Sequence, residues 1–441
     1  MASPRGVVWP LIRKEWRELL ASRAWWIFLV LMGPLVGVAF ISAVRAYGEA
    51  SGRGGTSAGV GEAFSPLVGI WAPTFSGCEI AAAFLLPFVA IRLVAGDKQS
   101  GALKIESQLA AATWVRVAVK AAVLLAGWLI ASLAAAAAVL LWAAYGGSIY
   151  APELAAVVLG HLLNAGLTIA LACAAAAIAE HPSTAAIITL SITVGTWIVS
   201  FIAAIHGGLW ERLAAYTPTA MVGQFQHGLV RLDSLLIAVA LIAAGLAFAA
   251  IWIRIGTAVR RRAWASLALG VAAVALTGAL SLIRPSWDLA ENRMNSFSRG
   301  DEAALRTIAA PLRIRVHLAP EDPRRVDLER RTLSKLRRVL PQLHVEYVST
   351  TSIGLFEQTA AGYGEIEYEL NGRSASSRAT TPEAVLESIY SLAGIAPSAD
   401  NDDDFRGHPL AAEPRGAAVV FYVAWPGVAL ACAALNYRRS R

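Results

Sequence analysis

Two sets of polar residues in this 441-residue chain could do chemistry, and both are set among long apolar runs. The first set is Asp97-Lys98, followed by Gly101 and Glu106, in a short polar interval between two apolar runs. Glu15 and Arg17 lie on the basic segment before the first apolar run. Neighbouring acids and bases of this kind pair with another protein surface or serve as the ordinary charges of a loop. The second set is Glu79, His161 and Asn164, each inside an apolar run. An ionisable group in such a run is a functional hypothesis by default. His161 and Asn164 are one helical turn apart and so share a face. A proton or substrate path could use these residues. The simpler account is a helix–helix hydrogen bond for His161 and Asn164, and an outer cavity or an Arg45 partner for Glu79.

Other chemistries find no constellation. No Gly-rich loop ending in Gly-Lys-Ser/Thr occurs, so the chain carries no phosphate-binding loop of its own. Neither His-Glu-x-x-His nor Gly-x-Ser-x-Gly is present. His317, His344 and His408 are scattered. Cys78, Cys173 and Cys432 fall singly inside apolar runs and read as packing residues, not a metal site or disulfide framework. An enzyme, a bound cofactor and a bound metal are therefore not expected.

The elements that must position these residues are membrane helices. Hydrophobic residues make up 56% of the chain and charged residues 16%, well below the roughly 25% of soluble domains. About 20 apolar residues cross the hydrocarbon core as a helix. The expected spans are 24–46, 68–92, 117–145, 154–179, 184–206, 235–256, 264–283 and 417–435. Residues 1–23 form an expected interfacial helix, with Trp9, Ile12, Trp16, Leu19 and Leu20 on one face and Arg13, Lys14, Arg17 and Glu18 on the other. No small-residue cleavage site follows the first run, so it reads as a retained anchor.

Basic residues orient the bundle. They cluster before the first span, between the second and third (Lys98, Lys104, Arg116, Lys120), after the sixth (Arg260 to Arg262) and at the end (Arg438, Arg439). Eight spans put all four clusters on one side, with both termini cytoplasmic. The net charge of +7 follows from this bias and gives no reason to expect nucleic acid.

The core then occupies 24–257, a seventh span 258–283, and an eighth span with a basic tail 416–441. Residues 284–415 hold no long apolar run. They are expected to form a small extracytoplasmic α/β domain. Leu312, Ile314, Val316 and Leu318 alternate with polar residues, as in a half-buried strand. A helical pattern follows over 325–340, then alternation at Leu343, Val345 and Tyr347, giving strand–helix–strand with a parallel pair. Ile366, Tyr368 and Leu370 lead to Asn371-Gly372, a hairpin signal. Thr381-Pro382-Glu383 starts a helix, with Thr as cap, that runs to about Ala393. The stretch 396–415, with Asp400, Asp402 to Asp404 and Pro409, reads as a flexible acidic linker.

The interval 93–120 resembles the coupling region of type-2 ABC transporter permeases (the ABC-2 exporters). Asp97-Lys98 stands where that family has an acidic–Arg pair, Gly101 matches its glycine, and Lys120 matches the lysine that opens the third span. The chain departs from the pattern at Ala102, Ala110 and Val119. The likeness covers about residues 8–256, including the interfacial helix and Pro218 ahead of the sixth span. Trp287-Asp288-Leu289 and Asn295-Ser296-Phe297-Ser298 resemble the opening of the auxiliary domain in gliding-motility-type ABC components, here shortened.

The resemblance implies a membrane-spanning permease subunit, an exporter energised by a separate ATPase that binds the ATP and Mg. It implies Asp97, Lys98, Gly101, Glu106, Glu15 and Arg17 as coupling contacts, and a homodimer or a second permease as partner. The competing reading is a non-transporting receptor or structural component of an ATPase-driven complex in the bacterial inner membrane.

Overall fold

The structure is a computed structural model that describes residues 4–52, 64–106, 108, 111–206, 209–319, 322–348, 362–396 and 405–440. It is mostly helical with small sheets, and eight of its helices are long and apolar enough to cross a membrane. Two compact units emerge: Met1–Trp197 with Pro218–Pro285 and Gly407–Arg441, and Ile198–Thr217 with Ser286–Arg406.

In the first unit, α1 (Pro4–Ala21) precedes α2 (Arg23–Gly52), with a break at Ser22. Then come α3 (Leu67–Ser100), the short α4 (Ala102–Glu106), α5 (Thr113–Ala144) and α6 (Ala151–Ile178). After these follow α7 (Pro182–His206, of which residues 182–197 fall in this unit), α8 (Pro218–Gln226), α9 (Leu232–Ile253) and α10 (Val259–Leu280). The eighth long helix, Ala417–Arg439, closes the unit.

Two expectations need correction. The second span does not end near residue 92. Helix α3 runs on through Asp97 and Lys98 to Ser100 and stops only at Gly101, whose φ of 76° is left-handed. The acid–base pair is therefore the last turn of a long helix, not a loop. The inward face of α1 also differs from the expected one. Leu11, Glu15 and Leu19 are buried, four residues apart, while Trp9 is 69% exposed. A buried carboxylate on that stripe disguises it as polar.

Aromatic rings fill the centre of this unit. Trp25, Phe28 and Trp128 pack in series, and Tyr47, Trp71 and Trp142 meet edge to face. Small residues permit close helix approach elsewhere, as where Gly245 of α9 meets Ala170 of α6. The expected flexible linker is held where it is described. His408 donates its backbone N–H to Phe64 O at 2.9 Å, and Tyr47 Oη donates to His408 O at 2.7 Å. Leu410 N–H donates to Ser51 Oγ at 3.0 Å. Asp400 and Asp402 to Asp404 lie outside the described residues, as do 53–63 and Ala110.

The second unit carries a four-stranded sheet. Its strands are β1 (Leu312–Val316), β2 (Leu343–Tyr347), β3 (Ile366–Leu370) and β4 (Arg373–Ser377), in the order β2-β1-β3-β4. The β1–β2 pair is parallel and the others antiparallel. Alternation puts Leu312, Ile314, Val316, Ile366, Tyr368 and Leu370 in one core. Helices α11 (Arg299–Arg306), α12 (residues 323–339, with a π turn at Glu329–Leu333) and α13 (Pro382–Ala393) supply Leu305, Leu336 and Ile389 to it. The opposite sheet face is a ladder of charges, with Arg315 between Glu346 and Glu367. Asn371 and Gly372 both have positive φ, as a two-residue hairpin of this kind demands. Thr381 stands at the N-cap position of α13, but its side chain makes no capping bond; Pro382 presets the first turn instead.

Asp322 caps α12. Its carboxylate accepts from Arg324 N at 2.9 Å, from the Arg324 guanidinium and from Tyr363 Oη at 3.0 Å. The hydrogen bond from Arg324 holds the Asp322 carboxyl below the usual carboxylate range. Asp322→Ala is expected to cost about 1 kcal/mol. Because the folded value is depressed, that stabilisation is present above the ordinary Asp range and is lost as pH falls through the folded value. Hydrogen exchange of residues 323–339 in the full chain should show faster opening in the variant at neutral pH. The gap to wild type should close in acid.

A buried charge network as the candidate functional site

Four elements converge on one cluster of charges. Helix α1 brings Lys14 and Glu15, the last turn of α3 brings Asp97, α4 ends on Glu106, and the second turn of α5 brings Lys120. Lys14 Nζ donates to both Asp97 oxygens at 3.0 Å, to Glu15 Oε1 at 3.1 Å and to Glu106. It also pairs with Glu18 at 3.2 Å. Lys120 Nζ donates to Glu15 Oε1 at 2.6 Å and to Asp97. The side chains of Glu15, Asp97 and Lys120 are 2%, 4% and 4% exposed, so this is an interior network.

Three buried carboxylates thus face two ammonium groups, an excess of one negative charge. Burial, with help from the charge of Asp97, pushes the Glu15 carboxyl up against the pull of Lys120 and Lys14. Glu15 Oε2 is also buried without a hydrogen-bond partner. Burial opposes charge on Lys14, but its contacts with Glu106, Glu15 and Asp97 prevail and raise it above the ordinary lysine value. Oxygens of Glu15, Asp97 and Glu106 lie close enough together to hold a metal ion. Here the two lysine ammonium groups supply the positive charge.

The six residues singled out for coupling therefore divide. Glu15, Asp97 and Glu106 come together in the network. Lys98, next in sequence to Asp97, points elsewhere. It donates to the carbonyls of Ala176, Ala177 and Ala179 at 2.7–3.1 Å, closing the C-terminal end of α6. A cation there satisfies orphan carbonyls and opposes the helix dipole. Gly101 supplies the left-handed turn between α3 and α4. Arg17 is exposed on α1. Sequence reasoning put Lys14 on the solvent side of α1, and only the contact with α3 shows its role. Ile105 of α4 is 71% exposed, an apolar residue beside the charges of that short helix.

The candidates inside the long apolar helices separate as well. Glu79 takes a hydrogen bond from Gln226, not from Arg45, which is exposed. Gln226 Nε2 also lies 3.3 Å from His161 Nε2. His161 packs against Phe75, with the rings tilted by 36°, and lines an apolar cavity of about 420 Å³. Asn164 lines a different cavity, of about 510 Å³, together with Glu79. One helical turn leaves these two residues about 60° apart, enough to place them on opposite sides of a packed neighbour.

No protein-family model matches the chain, and no curated protein and no solved structure matches it.

Proposed function

We propose that the chain is the membrane-spanning permease subunit of an ABC-type exporter, driven by a separate ATPase subunit. The buried network carries this reading. It joins an amphipathic helix, the end of the second span, the connecting helix and the start of the third span into one rigid charged end. A push delivered to α1 or α4 must then move two spans together, because buried ion pairs resist separation. The contact surface is the exposed side of the same elements: Arg17 of α1 and Ile105 of α4, with Asp97, Glu15 and Glu106 holding that surface in place. This end faces the cytoplasm, the side on which basic residues collect, and the Ser286–Arg406 unit lies outside. The subunit acts as a homodimer or with a second permease.

The test is co-purification with the ATPase encoded beside this gene, comparing wild type with an Arg17→Glu, Ile105→Ala double variant. We expect wild type to retain the ATPase and the variant to lose most of it, with the bundle intact by thermal unfolding. Failure of wild type to associate under any nucleotide condition sinks the reading.

A further inference from the structure

Asn164 and Thr168 lie one turn apart on α6 and are 8% and 5% exposed. Neither side chain has a hydrogen-bond partner among the described residues. Both line the cavity of about 510 Å³, as does Glu79 of α3. Other polar groups of the wall are already engaged. Thr193 donates to Leu190 O at 3.2 Å, Thr196 Oγ1 lies 3.1 Å from Thr219 Oγ1, and Ser266 accepts from Trp252 at 2.9 Å. Most of the remaining wall is aliphatic or aromatic, including Leu171, Trp197 and Phe248.

Three features define an occupant. The volume lies within the roughly 300–1,000 Å³ range of small-ligand sites. Glu79 is the one ionisable group lining the cavity, and no Lys, Arg or His lines it among the described residues. Its carboxylate offers about four acceptor positions, of which Gln226 uses one. The Asn164 amide and the Thr168 hydroxyl line the cavity without a protein partner, so both can bond a ligand that carries polar hydrogens.

We propose that this cavity binds a lipophilic amine: an apolar body of small-molecule size carrying one protonated nitrogen. The nitrogen pairs with Glu79, and Asn164 and Thr168 complete its polar contacts. An anion has no partner here. A zwitterionic lipid headgroup would bring a phosphate that no wall residue neutralises. As the cargo of an exporter the amine rests on the function proposed above; binding itself does not.

The experiment is a fluorescence titration in nanodiscs of phosphatidylcholine, a lipid without a primary amine. The probes are dansylcadaverine and its N-acetyl derivative, which keeps the apolar body and loses the charge. Wild type should bind the amine saturably and about tenfold more tightly than the acetylated probe. Glu79→Gln should erase that preference, Glu79→Asp should keep it, and Asn164→Leu should weaken amine binding several-fold. Equal affinity for both probes in wild type overturns the proposal. So does a preference that survives Glu79→Gln, or signal matching empty nanodiscs. If Glu79→Gln does not fold, Glu79→Asp and Asn164→Leu decide the outcome. The titration needs no ATPase, so lost ATPase association with retained binding counts against the exporter alone. Retained association with no binding counts against the amine site alone.

Discussion

Lys120→Met should destabilise the helix bundle by about 3–5 kcal/mol, the range for breaking a buried ion pair from one side. Methionine matches the lysine stem in length, so packing is largely kept and the charge alone is removed. Asp97 and Glu15 would then share only Lys14, which already serves Glu106 and Glu18. Helix α1 should loosen first, because its contact with α5 is made partly through Glu15 and Lys120. Thermal unfolding in nanodiscs measures the total, and protease cleavage after Arg13 or Arg17 reports the loosening. A loss under 1 kcal/mol would show that the cluster is solvated and not a rigid joint.

The pH dependence has a defined sign. Burial raises the Glu15 carboxyl in the folded chain. The folded state therefore binds the proton more tightly than the unfolded state. The contribution is full below the ordinary Glu value and falls as pH rises through the folded value. The Lys120→Met defect should accordingly shrink in mild acid, where an unpaired carboxylate can take a proton. A defect that grows on acidification would contradict a raised Glu15 carboxyl.

Gly37→Leu should detach the eighth long helix from α2, at a cost of about 1–3 kcal/mol typical of overpacking. Gly33 and Gly37 stand four residues apart on α2, the spacing of small residues at close helix contacts. A Cβ on Gly37 would meet the Phe421 side chain, with Cγ only 2.8 Å away, and one on Gly33 would meet Trp425. Phe421 is fully buried and packs edge to face on Phe40. Trp425 Nε1 donates to Leu29 O at 2.7 Å, and Asn436 to Leu20 O at 2.9 Å, so the helix is pinned at two levels. Phe421→Ala vacates the colliding volume. Combined with Gly37→Leu it should recover part of the loss, a coupling that a double-mutant cycle reads directly. Strict additivity of the two changes would exclude the contact.

Much of the architecture is determined by the sequence itself, because it depends on signals local to a segment. Apolar length defines each of the eight long helices, and a period of two defines the strands around Ile314 and Tyr368. Asn371-Gly372 determines a hairpin because few residues accept positive φ at both positions.

Only tertiary structure decided the partners. Asp97 and Lys98 are adjacent in sequence, yet successive helical residues point about 100° apart, so one enters the charge network and the other closes α6. Glu15 and Lys14 look like a solvent face until α3 supplies Asp97, 83 residues from Lys14, and α5 supplies Lys120, 105 residues from Glu15. His161 and Asn164 share a turn but line separate cavities, because the packing of neighbouring helices, not the helical period, divides the space between them. The amide of Asn164 and the hydroxyl of Thr168 show why this limit is general. Whether a buried polar group is satisfied is a property of everything packed around it, and no local pattern encodes that.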